Sequence, residues 1–291
     1  MKIGLGTVQF GLPYGVSNTI GRTEEDEVGR ILDYARSHGV RVLDTAAAYG
    51  DSEEVLGRFL SSNSSFRVVT KTLPIKGAAV DSEAVASVGQ RFETSLRNLR
   101  QDAIYGLLLH RAGDVLKPGG DSLAAWLTAQ KASGRVSKVG VSAYDRETLD
   151  SVLDRCPIDI VQLPLNILDQ RLLADGYLAQ LKAAGIEIHV RSAFLQGLLL
   201  MHPEEMPPYF SDIKPHMVEL RAFMASHGLS PLEATLGFVS SLDEVDSVVC
   251  GVNSLEQLHE IVFAVGKSVP RELFRGFAID EERIINPSMW Q

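Results

Sequence analysis

The chain has little of what marks a secreted, membrane-spanning or nucleic-acid-binding protein. Only two cysteines occur in 291 residues, Cys156 and Cys250. They lie far apart with no CxxC spacing, which points to a reduced, cytoplasmic compartment. No apolar run approaches the ~20 residues that span a bilayer. KIGLGTV follows Met1 at once, so a leader peptide is not expected. No block of Lys or Arg occurs, and a net charge of −9 with a pI near 5.3 speaks against nucleic acid or an anionic membrane surface as partner. Acidity of this size is ordinary for soluble enzymes and says nothing about the site. There is no HxH pair, and the histidines at 38, 110, 189, 202, 216, 227 and 259 do not gather with strand-end carboxylates. No metal site is therefore expected, and a metal-dependent barrel hydrolase has little support.

What the chain does have is alternation. Short β-branched runs occur at 2–8, 40–46, 67–73, 104–110, 138–143, 160–166, 187–193 and 246–252. They are nearly continuously apolar, as strands buried on both faces should be. Segments of helical period separate them, at 23–39 and at roughly 51–61, 82–100, 121–133, 145–154, 170–184 and 254–265. Thr23 followed by Asp26 suggests the first N-terminus, and Gly39 the matching stop. Eight βα units with short connections predict right-handed parallel crossovers. An open doubly wound sheet would fit alternation alone. Polar residues at the C-terminal ends of several different strands favour an α/β fold of one (β/α)8 barrel over residues 1–291. The long Pro- and Met-rich stretch 198–214 reads as a lid or pocket wall.

Four of those strand-end residues carry chemistry. RVLDTAAAYG, RVVTKT and YGLLLHRA deliver Asp44, Tyr49, Lys71 and His110 to one rim. Singly, each has a plain structural reading: a turn Asp, a packed Tyr, a solvated Lys, a satisfied His. Together they form a proton-transfer set. A phenol with a pKa of about 10 is a poor acid at neutrality unless neighbours tune it. A lysine can lower that value, a carboxylate can keep a buried lysine charged, and an imidazole can hold a carbonyl oxygen.

The quartet and its contexts resemble the aldo-keto reductases, nicotinamide-dependent carbonyl reductases built on a (β/α)8 barrel. The resemblance covers nearly the whole chain. It implies Tyr49 as general acid, Lys71 as its tuner, Asp44 as partner of Lys71 and His110 as orienter of the carbonyl. It places the nicotinamide over the end of GLGTVQFG, at Gly6 and Thr7 beside Asp44, with Ser142 and Gln162 on its carboxamide. It lays the pyrophosphate under the turn RSAFLQG, at Arg191, Ser192, Phe194, Gln196 and Gly197. The adenosine end falls at Gly251, Asn253, Ser254, Gln257 and Glu260. Ser254 opens a helix whose free N–H groups suit a phosphate, although with Gln257 it is also an ordinary capping pattern. The GxG of GLGTV alone is no dinucleotide fingerprint.

Several positions depart from the family pattern. Ala143 stands where a nicotinamide-contacting Asn is usual, Arg191 where an aromatic residue often stacks, and Ile261 where an Asn commonly follows Glu260. Gly251 and Gln257 occupy positions where many members carry Lys and Arg around the 2′-phosphate. NADPH is the implied cofactor, with NADH as the alternative and a reduced preference between them. The usual β-hairpin under the barrel is absent or replaced. The expected activity is reduction of an aldehyde or ketone, sugar-like ones included, by a cytoplasmic monomer. The alternative is a nucleotide-binding regulatory protein of the same fold with little turnover. Pocket walls are expected from Phe10, Tyr14, Phe194, the loops 111–120 and 198–214, and the tail near Trp290.

Overall fold

The computed structural model describes residues 1–61, 64–267 and 269–290; Gln291, the last residue of the expected domain, lies outside them. Eight parallel strands close in sequence order into a barrel: β1 (Ile3–Gly6), β2 (Val42–Asp44), β3 (Arg67–Lys71), β4 (Ile104–Leu109), β5 (Val136–Ser142), β6 (Ile160–Pro164), β7 (Glu187–Arg191) and β8 (Ser247–Gly251). The ring closes where β8 pairs with β1, with Gly6 opposite Gly251. Each run expected from the sequence holds one strand, β5 starting early at Val136.

Period-two alternation along the strands positions the site. One set of side chains faces the helices in the main apolar core. The other fills the barrel, where Val42, Val69, Leu108 and Ile160 pack together. Gly106 makes room for them, since a Cβ there would come within 3.2 Å of both Ile160 and Val69. Two residues further along the same inward rows stand Asp44, Lys71, His110 and Gln162. The apolar plug and the polar rim are thus consecutive layers of the same strands.

The opposite mouth is closed by charge and one ring. Tyr105 of β4 donates to Glu187 of β7 at 2.7 Å, and these strands lie three apart in the barrel order. Arg67 and Lys138 both stack on that ring, Lys138 also pairs with Glu187, and buried His189 meets Glu187 at 2.6 Å. This network stands where a hairpin plug was expected to be missing or replaced.

Some local expectations are corrected. Thr23 is not a helix cap: the helix runs Glu25–Ser37 from Glu24. Its N–H goes to Gln9 O at 2.9 Å and its hydroxyl to Asn253 O at 3.4 Å, so tertiary partners displace the capping role. The 170–184 segment is a 3₁₀ turn, Arg171–Gly176, followed by the helix Tyr177–Ala183, with the break at left-handed Gly176. The 198–214 stretch is mostly 3₁₀ turns whose Met206, Phe210 and Ile213 sink into a second apolar cluster. Of this stretch only Leu200 reaches the cleft described below, so it supports the wall more than it covers it. Helices Lys214–Ser226 and Pro231–Ser240 were not anticipated. The second carried a signal, Ser230 and Glu233 around Pro231, and these form a reciprocal capping box.

Candidate active site

Lys71 is 1% exposed, so its charge must be met within the protein. Its ammonium donates to both oxygens of Asp44, at 2.8 and 2.7 Å, and to Thr45 O at 2.9 Å. All three N–H groups are thereby used. Gln162 Nε2 donates to Asp44 Oδ1 at 2.7 Å, which ties β6 to β2 across the barrel. Behind this pair, buried Glu53 accepts from Thr70 Oγ1 at 2.6 Å, and its carboxyl is pushed above the ordinary range by burial.

Tyr49 sits on the loop between β2 and the helix Ser52–Phe59. Ser52 Oγ donates to Thr7 O at 2.7 Å and Thr7 Oγ1 to Asp44 O at 3.0 Å, so the loop is fastened to the ends of β1 and β2. Gly11 is required here: a Cβ would fall 1.9 Å from Tyr49 O. The Tyr49 ring meets His110 edge-on, centroids 5.9 Å apart, and Lys71 Nζ lies 5.0 Å from its centroid.

The electrostatics differ in one respect from expectation. Burial first, and then the Asp44 charge, push the Tyr49 phenol above its ordinary value, while Arg191 opposes them. Lys71 itself is drawn down by burial and held up by Asp44. Its effect on the phenol is largely offset by its own partner, and it keeps no free N–H for the phenol oxygen. Burial, with help from Lys71, lowers His110 to about 4, so its ring is neutral near pH 7.

Above this layer lies a cleft of about 710 Å³. Tyr49, His110, Asp44, Ser142, Gln162 and Arg191 line its reacting end, with Gly6 and Thr7 beneath. Ser192, Phe194, Gln196 and Gly197 form one wall. Here φ is positive at Ser192, Leu195 and Gln196, a strain of about 1 kcal/mol or more each that tends to persist at functional sites. Gly251, Asn253, Gln257 and Glu260 line the far end. The loop after β1 bridges these parts, with Val16 N on Gln196 O at 3.2 Å and Asn253 Nδ2 on Gly21 O at 3.0 Å.

Two expected residues lie off the cleft surface. Lys71 is closed onto Asp44 and Thr45 O. Ser254 caps its helix by accepting from Gln257 N at 3.3 Å, while Gln257 Oε1 accepts from Asn253 N at 2.7 Å. Leu255 N donates to Glu27 Oε1 at 2.6 Å, so a carboxylate already sits at this helix N-terminus. Of the expected walls, Tyr14 and Phe194 line the cleft, whereas Phe10 is wholly buried. The 111–120 loop borders a separate hollow with Leu73 and Pro74. Pro287 of the tail near Trp290 lines the cleft, while Trp290 itself packs on Phe210, centroids 4.8 Å apart.

Sequence reading passed over Gln9, Tyr144 and Arg221, which also line the cleft. Tyr144 follows β5 and carries the Arg191 guanidinium 4.0 Å from its ring centroid. Its only signal was an aromatic residue just past a strand end. Four buried polar atoms of cleft-lining residues lack any partner: Gln9 Oε1, His110 Nδ1, Arg191 Nη2 and Arg221 Nε. Orphans gathered in one cleft are what a bound ligand satisfies.

The sequence profile of the Aldo/keto reductase family matches residues 2–275. The chain belongs to that family. Among its relatives is L-galactose dehydrogenase of Arabidopsis thaliana, 27% identical over 278 residues, covering 90% of this chain and 83% of that one. The aldo-keto reductase str7 of Strobilurus tenacellus is 26% identical, covering 93% and 86%. In three dimensions the barrel is similar to the aldo-keto reductase AKR11C1 of Bacillus halodurans in its holo form, with a TM-score of 0.75, 21% identity and coverage of 97% and 95%. It is also similar to the glycerol dehydrogenase AKR11B4 of Gluconobacter oxydans, with a TM-score of 0.72, 23% identity and coverage of 98% and 92%. As an aldo/keto reductase the chain is an oxidoreductase of a nicotinamide-dependent family that acts on small carbonyl compounds. The cleft of about 710 Å³ and its orphaned polar atoms fit such a dinucleotide. Among the described residues no helix is long and apolar enough to cross a membrane.

Proposed function

We propose that this chain reduces an aldehyde or ketone to the alcohol, with Tyr49 as general acid. A reduced nicotinamide, when bound, supplies the hydride. The rest falls to the chain's own residues. Tyr49, fully protonated at neutral pH, gives its proton to the carbonyl oxygen. His110, neutral, donates from a ring N–H to the same oxygen and fixes its position. The closed Asp44–Lys71 pair beneath supports the geometry, and Arg191 is the cation that favours the phenolate as it forms. Ser142 and the free Oε1 of Gln162 are suited to the carboxamide, Gln162 being oriented by its bond to Asp44. The strained 192–197 turn is suited to the pyrophosphate.

At the adenosine end, Gly251 and Gln257 offer no cation, and Glu27 and Glu260 bring negative charge. NADPH is kept as the expected cofactor only with a narrow margin over NADH. The whole chain is taken as one barrel domain working as a cytoplasmic monomer, where two buried free thiols are stable.

The observation that carries this reading is the edge-on pairing of Tyr49 with His110 above a closed Asp44–Lys71 pair, on the lining of a cleft of about 710 Å³. The test is consumption of NADPH and NADH with activated aldehydes, sugars and ketones. Turnover of at least one class is expected. Tight nucleotide binding without turnover of any would favour a regulatory protein instead.

A further inference from the structure

The charges at the reacting end do not cancel. Asp44 and Lys71 offset each other within a closed pair. Tyr49 is protonated and His110 neutral near pH 7, which leaves Arg191. Its guanidinium lies against Tyr144, and Nη1 reaches Ser192 Oγ only at 3.4 Å. Nη2 is shut away from solvent with no acceptor. No carboxylate pairs with Arg191 among the described residues. Its charge is nevertheless felt by Tyr14, Tyr49, Lys71 and His110. The charge of Arg191 is therefore uncompensated at the floor of the cleft, and Arg221, also on the lining, meets only the carbonyls of Leu200 and Met201.

We propose that Arg191 biases this cleft toward the reduced form of its nucleotide, by repelling the positive charge that the nicotinamide ring gains on oxidation. The inference rests on the nicotinamide reading above. In the reaction a hydride leaves a neutral dihydropyridine for the carbonyl carbon, and the Tyr49 proton goes to the oxygen. A pyridinium and a phenolate result, and solvent then reprotonates the phenolate. The pyridinium of the oxidised nucleotide that must depart thus shares the reacting end with the unpaired guanidinium of Arg191. Phosphates and adenosine are the same in both forms, so their contacts cancel in the ratio of the two affinities. Only the ring charge differs. The ring has to lie beside Tyr49 and His110, because its hydride reaches the carbon whose oxygen they touch. At that range, in a partly desolvated site, one like charge changes affinity by about tenfold or more. The consequence is directional: oxidised product leaves readily, and alcohol oxidation starts from a weak complex.

The test measures dissociation constants of NADPH and NADP⁺, and of NADH and NAD⁺, without substrate, for the wild type, Arg191→Gln and Arg191→Lys. The wild type should bind the reduced form at least about tenfold more tightly. Arg191→Gln should shrink that ratio by about tenfold, chiefly by tightening the oxidised form, and Arg191→Lys should keep most of it. A ratio near one in the wild type would overturn the proposal even if Arg191→Gln failed to fold. An unchanged ratio in a folded Arg191→Gln would overturn it too. Failure of every nucleotide to bind the wild type would overturn the nicotinamide reading itself, and this inference with it.

Discussion

At the reacting end of the cleft each polar group is held by a different strand: Asp44 from β2, Lys71 from β3, His110 from β4, Gln162 from β6. At the far end, Ser254 and Gln257 cap their own helix, and Glu27 fills its N-terminus. Within the first region Asp44, Lys71 and Gln162 are cross-braced through the barrel, so that changing one removes a partner of another. The second rests on capping bonds at one helix end and on Glu27 from another helix, with no buried ion pair among them, so its side chains can change at less cost to the fold. One cleft thus combines a fixed chemistry with an adjustable grip on the nucleotide.

Breaking the braced end should give the largest effects. Lys71→Met strands the buried Asp44 carboxylate, and loss of one partner of a buried pair costs about 3–5 kcal/mol. Denaturant unfolding should show that loss, and turnover should fall with it. Asp44→Asn should do less on both counts, because Lys71 keeps Thr45 O and the new amide oxygen as acceptors.

A pH titration probes the same end more gently. His110 is depressed to about 4 from 6.5, so the folded chain binds that proton less readily than the unfolded chain. Its contribution is fully present above pH 6.5 and is lost progressively as pH falls toward about 4. The total is about 2–3 kcal/mol after allowance for partial exposure. His110→Asn should flatten the stability profile across that window; an unchanged slope would show that His110 does not titrate this way.

The smallest effect belongs to the adjustable end. Gln257→Arg adds a cation where the chain has none, and a charge-assisted contact is worth about 1.5–3 kcal/mol. NADPH should tighten by about tenfold or more while NADH stays put. Fluorescence titration of both reduced cofactors distinguishes this from equal tightening, which would mean that residue 257 does not face the 2′-phosphate.

The same contrast explains what was legible in the sequence. The eight strands could be read as apolar runs and Asp44, Lys71 and His110 as polar residues at their ends, while Gln162 came only with the family resemblance. Period two then puts all four above inward-facing Val42, Val69, Leu108 and Ile160. Nothing comparable announces Tyr144, whose role depends on where Arg191 comes to lie, nor Glu27, which reaches a helix more than two hundred residues away in sequence. Thr23 shows the opposite error. Its local pattern suits a cap, and two tertiary bonds override it. Ser230 and Glu233 carried a genuine capping box, with Pro231 at the start of the helix, that the sequence reading passed over.

The central claim is that the Tyr49 phenol delivers the proton while the rest of the cleft holds the reactants. Single-turnover reduction by Tyr49→Phe, with NADPH affinity measured on the same protein, tests it most directly. The hydride-transfer step should slow by about 10²–10⁴-fold with the nucleotide dissociation constant unchanged. A near-wild-type rate in a variant that still binds NADPH would contradict the account.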